Sequence, residues 1–367
     1  MIDVVALSAV SIHWVPRCPT KVQLWLTTSA RALLAGFFCL FLGLASAQGA
    51  ESQAGAQARG TEPTRSVAEW LARLRQASKT PSYQGTYVVT SASGAMSSAR
   101  IWHRADGNEE LESVEALSGP PRTIFRKNNE VLLFLPKMHV VRTERHSLGQ
   151  TFPNLVHADG GSLAAEYYTV RNLGEDRVAG LETDVVLFKP RDNLRYAYRV
   201  WSEKQTGLML KSQILDAAGR VLEQAAFSEI DLNPPADVVQ AHLVMPSMDG
   251  MKQEKVTRER VDPASEGWSL KGTVAGFEPQ GFYKKSVAGS RSIVQWVFSD
   301  GLSTVSLFME PYDTQRHMHP GSSEFGATHA LRRRWPDAQG NWWVTSVGEV
   351  PPQTLERLVG NLQRTGG

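Results

Sequence analysis

The sequence has 367 residues, enough for two ordinary domains, and its 42% hydrophobic and 21% charged composition is typical of a globular protein. Its formal net charge of +2 depends on residues 1–47: without Arg17, Lys21, Arg31 and Asp3, the 39 basic and 37 acidic side chains become 36 of each. A chain with balanced charge excludes a chain-wide electrostatic attraction to nucleic acid, so no nucleic-acid partner is expected.

The N-terminal segment has the three parts of a secretory signal peptide. Arg31 precedes the apolar run 33–44, and the small residues 45–47 (Ala-Ser-Ala) follow it. Twelve helical residues span about 18 Å, short of the roughly 30 Å hydrocarbon core, so cleavage after Ala47 is preferred to an uncleaved anchor. The segment before the apolar run is long for a leader, which leaves an over-extended start as an alternative. Both cysteines, Cys18 and Cys39, precede this cleavage point, so we expect an exported, soluble chain without a disulfide.

The mature chain is predicted to begin with a disordered tether and a helix. Residues 48–65 contain almost no large apolar side chain, which is typical of disorder. The helix is predicted to begin at Ser66, because Ser66 and Glu69 have the spacing of a capping box. Its apolar residues recur with the helical period, at Val67, Trp70, Leu71 and Leu74.

From the end of this helix to about residue 230, the pattern changes to short runs of β-branched and aromatic residues separated by turn formers. The predicted strands are 83–90, 100–103, 131–135, 139–143, 184–189, 195–201, 208–215 and 221–227. Their connections are too short for crossover helices, which favours a mostly antiparallel sheet. The run 131–135 is apolar on both faces, so it is either covered on both or lines an apolar cavity.

A second change of composition begins at Pro234-Pro235 and predicts a linker over 231–250. It separates a first domain over 66–230 from a smaller α+β domain over 251–363. The predicted elements of the second domain are strands at 293–299, 303–309 and 342–347 and a closing helix over about 354–363.

No motif indicates an enzyme. The nearest approach to the G-x-S-x-G motif of serine hydrolases is 321–325 (G-S-S-E-F), which lacks the last glycine, and neither phosphate-binding glycine motif occurs. The acidic residues Glu109, Glu110 and Glu112 are interpreted as a solvated face, and Glu310 as an isolated acid at a strand end. We therefore expect no catalytic residue.

The histidines of the second domain suggest an alternative interpretation, a metal-binding site. His317 and His319, with His329 further along the chain, would supply three imidazoles, but no carboxylate stands at ligand spacing and no H-E-x-x-H helix is present. A polar loop with exposed histidines is favoured, so neither a metal nor another cofactor is expected.

Arg332, Arg333 and Arg334 form one compact basic cluster. It either binds an acidic peptide or a phosphate-bearing headgroup through bidentate hydrogen bonds, or forms a solvated strand edge that its charges keep from pairing. Taken alone, these patterns predict an exported two-domain binding protein.

Several short stretches, taken together and in order, carry a family resemblance. Among them are Tyr83-Gln84-Gly85-Thr86-Tyr87, Lys189-Pro190-Arg191-Asp192, Arg195-Tyr196, Ser299-Asp300-Gly301-Leu302 and Phe308-Met309-Glu310-Pro311. Over about residues 66–362 the chain resembles the RseB/MucB family, whose members are periplasmic negative regulators of the sigma-E (AlgU-type) envelope stress response.

The resemblance implies an α+β fold: a LolA/LolB-like half-open antiparallel β-barrel with helices and an apolar concave face, plus a smaller α+β C-terminal domain. It also implies a partner, the periplasmic region of a single-pass anti-sigma factor of the RseA/MucA kind. Binding would shield that region from site-1 proteolysis, and lipopolysaccharide or lipoprotein acyl chains would oppose binding. The family pattern gives no catalytic residue. A periplasmic lipid or lipoprotein carrier is the alternative, although a carrier has no need of residues 251–363.

Candidate residues for a lipid-facing surface and for a partner-binding surface are chosen by size and by charge, respectively. The lipid-facing candidates are large apolar residues on predicted strands, namely Tyr87, Trp102, Phe125, Leu133 and Phe134. The face that each one takes is not predicted, because a one-residue shift in register inverts it. The candidates for partner contact are Arg332, Arg333 and Arg334.

Overall fold

A computed structural model describes residues 65–77, 82–145, 161–287, 292–317, 319–337 and 340–364. The predicted signal peptide, and the predicted tether up to residue 64, lie outside the described residues. The helices of the described part are α1 Val67–Ala77, α2 Gly161–Tyr167, α3 Ala236–His242 and α4 Pro352–Gly360. In this part of the chain, no helix is long and apolar enough to cross a membrane.

Eleven strands precede α3 and form an N-terminal sheet. They are β1 Ser82–Ser91, β2 Met96–Ala105, β3 Glu110–Ala116, β4 Thr123–Lys127, β5 Glu130–Leu135, β6 Val140–Arg145, β7 Tyr168–Val178, β8 Leu181–Pro190, β9 Ala197–Glu203, β10 Met209–Leu215 and β11 Val221–Asp231.

Nine strands follow α3. They are β12 Lys252–Arg260, β13 Trp268–Leu270, β14 Glu278–Val287, β15 Ile293–Ser299, β16 Thr304–Pro311, β17 Gly321–Phe325, β18 Thr328–Asp337, β19 Gly340–Gly348 and β20 Leu362–Arg364. All but β13 and β20, which pair with each other, form what we call the C-terminal sheet; through β12 it is continuous with the N-terminal sheet in one ladder of 18 described strands.

The N-terminal sheet is antiparallel and half-open, as predicted. Its ladder runs β7–β8–β9–β10–β11–β1–β2–β3–β4–β5–β6, and within the described strands β6 and β7 do not pair, so the barrel does not close. Helices α1 and α2 pack on this sheet in one apolar cluster with Phe188, Tyr198 and Val200. The α+β fold class is therefore confirmed.

The predicted capping box at the start of α1 is also confirmed. The backbone N–H of Ser66 donates to Oε2 of Glu69 at 2.6 Å, and the N–H of Glu69 donates to Oγ of Ser66 at 3.3 Å. Two backbone donors at the helix N-terminus are thereby satisfied. The helix buries the apolar face that its period predicts.

Strand β12 joins the two sheets. It pairs in parallel with β6, from Lys252 opposite Val140 to Val256 opposite Glu144, and antiparallel with β14. The C-terminal sheet continues in the order β12–β14–β15–β16–β19–β18–β17 and packs on α4. The structure also forms α3 inside the segment that composition predicts as a linker.

Candidate functional site

The five apolar candidates divide between two faces of the N-terminal sheet. Cross-strand register places Trp102, Phe125 and Phe134 on one face, because Trp102 lies opposite Ser113, Ser113 opposite Phe125, and Phe125 opposite Leu132. Side chains alternate along a strand, so Tyr87 and Leu133 lie on the other face. The set does not form a single lipid-facing surface.

Trp102, Phe125, Leu132, Phe134 and Val141 form a buried cluster that we call the aromatic strip. Helix α3 covers this strip. Val239 and Leu243 belong to the same cluster, and Met248 and Met251, beyond the helix, pack against it.

Two further contacts tie α3 to strand β2, on which Trp102 lies. The ring of His242 stacks on Trp102, with centroids 4.3 Å apart and planes inclined by 15°. Arg104 donates to the side-chain oxygen of Gln240, and its second nitrogen donates to Oε2 of Glu109 at 3.1 Å.

Tyr87, on the opposite face, is part of an aromatic core rather than an open surface. The ring of Phe227 meets Tyr87 and Tyr83 edge-on, at centroid distances of 6.0 and 6.5 Å. Burial raises the pKa of the Tyr87 hydroxyl above its ordinary value, so the ring stays neutral. Leu133 is half-buried.

The face that carries Tyr87 also holds a row of buried charges. His103, Glu112 and Arg126 lie directly opposite one another on β2, β3 and β4. Arg126 donates to Glu112 at 3.1 Å and to Glu110 at 2.7 Å. The interpretation of the acidic run as a solvated face is therefore wrong for Glu112, which is 1% exposed.

Burial alone would raise the pKa of Glu112, but the positive charge of Arg126 and the neighbouring His103 outweigh it and lower the pKa to about 2. Glu112 is consequently ionised at neutral pH. Two other members of this row, His103 and Arg126, are themselves almost fully buried, so the row belongs to the interior of the sheet and not to a solvated face.

Strand geometry separates the three arginines. Residues alternate along β18, so Arg332 and Arg334 lie on one face and Arg333 on the other. Arg332 donates to Oγ of Ser323 at 2.9 Å, and Arg334 lies over the ring of Tyr312 at 4.6 Å. Arg333 is exposed. Their role in partner contact stays a prediction.

The interpretation of the histidines as an exposed polar loop is wrong for His317 and His329, which are buried. The Nδ1 atom of His317 accepts a hydrogen bond from the N–H of Asp313 at 2.9 Å, and its Nε2 lies 3.3 Å from Glu310. Its ring stacks on Trp343 at 4.9 Å. His317 thus holds the loop after β16 against the sheet. Among the described residues, no group of three His, Cys, Asp or Glu side chains is arranged to hold a metal ion.

Sequence reasoning missed the junction between the two sheets as a structural site. Nε of Arg195 donates to Oδ2 of Asp300 at 2.9 Å, and both side chains are fully buried. The hydroxyl of Tyr168 donates to the same oxygen at 3.0 Å, while Oδ1 accepts the N–H groups of Leu302 and Ser303 at 2.9 and 2.6 Å. Arg195 and Asp300 belong to two of the stretches that carry the family resemblance, which was the available signal.

Burial raises the pKa of Asp300 above its ordinary value, while Arg195 and the two N–H groups oppose that shift. Further contacts extend the junction. Tyr198 and Ser303 share a hydroxyl hydrogen bond of 2.9 Å, and Thr354 donates to the carbonyl of Leu194 at 2.6 Å. The two sheets are therefore joined by a polar network as well as by β12.

Comparison with known proteins gives matches along both halves of the chain. The family model described as the MucB/RseB N-terminal domain matches residues 66–256, and that described as the MucB/RseB C-terminal domain matches residues 262–363. The sigma factor AlgU regulatory protein MucB of Pseudomonas aeruginosa is 29% identical over 300 residues, which cover 80% of this chain and 89% of the relative.

A second relative and a solved structure agree. The sigma-E factor regulatory protein RseB of Escherichia coli is 26% identical over 302 residues, covering 80% of this chain and 89% of the relative. The complex structure of Pseudomonas aeruginosa MucA/MucB matches with a TM-score of 0.62 and 26% identity, over 82% of this chain and 99% of the matched chain.

Proposed function

Because the chain belongs to the MucB/RseB family, we propose that it is a non-catalytic periplasmic regulator that binds the periplasmic region of a transmembrane anti-sigma factor. Bound there, it shields that region from the site-1 protease that starts its degradation. Lipopolysaccharide or free acyl chains weaken the binding and so expose the partner to cleavage.

The observation that carries this proposal is the order and extent of the two family matches, which include the C-terminal domain. The solved relative that binds MucA supports the class of partner. The buried Arg195–Asp300 pair adds a physical argument, since it makes the C-terminal half an integral part of the molecule. A lipid carrier built on the N-terminal sheet would not need that half.

The lipid effect has a thermodynamic consequence. A lipid that weakens partner binding tenfold must itself bind the complex tenfold more weakly than the free protein, which corresponds to about 1.4 kcal/mol of coupling. The effect of lipid on partner affinity and the effect of the partner on lipid affinity can be measured separately. Agreement between the two fold-changes tests whether lipid and partner act through one equilibrium.

The experiment is a titration of the chain from Gln48 to Gly367 against a fluorescently labelled periplasmic segment of the host's anti-sigma factor, with and without lipopolysaccharide. We expect saturable binding that lipopolysaccharide weakens, and slower cleavage of the bound segment by site-1 protease. A scrambled segment of the same composition is the control. If the segment does not bind, the proposed regulatory function is rejected. The alternative function as a lipid carrier is then tested by measuring capture of acyl chains.

A further inference from the structure

Helix α3 is a weakly built cover for the aromatic strip. It has seven residues, and its N-terminal cap is Pro235, which makes no side-chain capping hydrogen bond. Helices of this length are unstable by themselves in water, so tertiary contacts must hold α3 in place. Within the apolar cluster those contacts come from Val239 and Leu243, which are 1% and 3% exposed.

Large apolar side chains are exposed on and just after this cover. Val238 is 38% exposed, and after the helix Val244 and Met245 are 65% and 45% exposed. They lie beside the exposed polar residues Asp237 and Gln240. Exposed apolar side chains at this place are suited to a segment that moves away from the strip and contacts apolar material elsewhere.

Helix α3 offers the sheet two kinds of contact. Its apolar side chains fill the strip, and the side-chain oxygen of Gln240 accepts a hydrogen bond from Arg104. A lipid with an anionic headgroup offers the same two: an acyl chain for the strip and a negatively charged oxygen for the guanidinium. Arg100 and Arg104 flank Trp102 on the same face of β2, and Glu109 is the acid that competes for Arg104.

The backbone around the strip favours an acyl chain over a peptide. Strands β2 to β6 are each paired on both sides, with β1 and β12 completing the ladder. An extended peptide lying on this face would find no unpaired strand edge for its own N–H and C=O groups, and leaving them unpaired is costly. An acyl chain has no such groups to satisfy.

We propose that the aromatic strip is a binding site for the acyl chain of an anionic lipid, which displaces α3 and takes its place over Trp102, Phe125 and Phe134. This proposal rests on the proposed function and assigns a place to its lipid. The segment after α3 leads directly into β12, whose first N–H, on Lys252, donates to the carbonyl of His139 at 2.7 Å. Displacement of α3 therefore acts on the strand that joins the two sheets, which gives the lipid a route to the partner-binding surface.

The test uses lysophosphatidylglycerol with a 9,10-dibromostearoyl chain, because bromine quenches tryptophan fluorescence on contact. Trp102 is one of ten tryptophans in the chain, so it is identified by comparing the mature protein with Trp102→Phe, which keeps an aromatic ring in the strip. We expect saturable quenching that Trp102→Phe removes in large part. Quenching of equal size in both proteins overturns the proposal.

A second variant pair tests the cover itself. Val239→Ser with Leu243→Ser weakens α3 and should tighten lipid binding about tenfold, because apparent affinity rises with the open fraction. Val221→Ser is the control, since Val221 is 38% exposed on β11 and lies outside the strip. Unchanged lipid affinity in the α3 double variant overturns the proposal. The proposal is also overturned if a leucine- and phenylalanine-rich peptide displaces α3 more strongly than the lipid does.

Partner binding is measured in the same samples, which separates the two proposals. If lipid weakens partner binding but does not quench Trp102, the aromatic strip is not the lipid site, and the proposed regulatory function is still supported. If lipid quenches Trp102 but the anti-sigma segment does not bind, the strip is supported as a lipid site and the proposed regulatory function is overturned.

Discussion

Arg195 and Asp300 form a buried ion pair between the two sheets, with 2.9 Å from Nε to Oδ2 and neither side chain exposed to solvent. Arg195 precedes β9 in the N-terminal sheet, and Asp300 follows β15 in the C-terminal sheet. A buried charge that loses its partner is strongly destabilising. Arg195 also pairs with Asp192 of its own half at 2.6 Å, so it is Asp300 that takes its counter-charge from the other sheet.

We expect Asp300→Asn to lower the free energy of unfolding by about 1–3 kcal/mol, because Nε of the buried Arg195 loses its charged acceptor while Nη1 keeps its ion pair with Asp192. Urea unfolding followed by circular dichroism measures the change. Glu175→Gln is the control: Glu175 is exposed and pairs with Lys204 at 2.7 Å, so its loss should cost about 0.5 kcal/mol or less. Equal effects of the two substitutions would contradict this account of the junction.

The pH dependence of stability should report on Glu112. Its pKa is lowered from 4.5 to about 2, so the folded chain binds fewer protons than the unfolded chain in this range. The contribution of Glu112 is fully present above pH 4.5 and is lost as the pH falls towards 2.

The measurement is the unfolding free energy of the wild type and Glu112→Gln between pH 6 and pH 2.5. We expect the variant to be less stable at pH 6 by about 3 kcal/mol, because Arg126 loses its buried partner and keeps only the partly exposed Glu110, and the difference should shrink as the pH falls. Glu182→Gln, at an exposed site near Lys204, should track the wild type. A difference that stays constant with pH would rule out the depressed pKa.

Gly85 is required by the close approach of β11. A Cβ atom at this position would lie 2.5 Å from the carbonyl oxygen of Glu229 and 2.9 Å from the ring of Phe227. Gly85→Ala should therefore destabilise the chain by about 1–3 kcal/mol through overpacking, as measured by thermal unfolding. Gly272→Ala is the matched control, since no heavy atom lies within 4 Å of its added methyl group. A neutral Gly85→Ala would show that β1 and β11 can separate locally at little cost.

The arginines of β18 give a prediction about partner affinity. We expect the triple substitution of Arg332, Arg333 and Arg334 by alanine to weaken binding of the anti-sigma segment, more strongly at low salt than at high salt. The expected loss is about tenfold at low salt, and fluorescence titration measures it.

A control triple substitution removes the same charge from exposed positions of the N-terminal half, at Arg171, Lys189 and Arg191. A loss of affinity confined to the β18 variant supports contact there. If both triple variants weaken binding equally, general electrostatic attraction explains the effect, and if neither does, the arginines have no part in partner binding.

Strands with many apolar residues were predictable from the sequence. Ile293–Ser299 is predicted with both of its ends correct, because its apolar residues are consecutive and a turn follows. Tyr168–Val178 was missed because most of its side chains are polar and exposed, and its pairing with β8 maintains it as a strand. Sequence patterns detect burial, so strands that bury little are missed.

Helix α3 and Glu112 show a second limit. The segment Ala236–His242 has a single fully buried side chain, Val239, which is too little for a periodic signal, and the prolines before it favour a linker. Glu112 looks solvated because its sequence neighbours are charged. Its partner Arg126 lies fourteen residues away and becomes its neighbour only through the register of β3 and β4. Register also decided how the five apolar candidates divide between faces, and local sequence does not specify it.

The pairing of β6 with β12 has a consequence for how the protein is made. Unpaired strand edges are templates for aggregation, and each of these strands covers an edge of the other's sheet. During synthesis β6 emerges from the ribosome more than a hundred residues before β12, and its edge stays bare until β12 arrives. This interval is when the nascent chain is most open to wrong pairing with another copy.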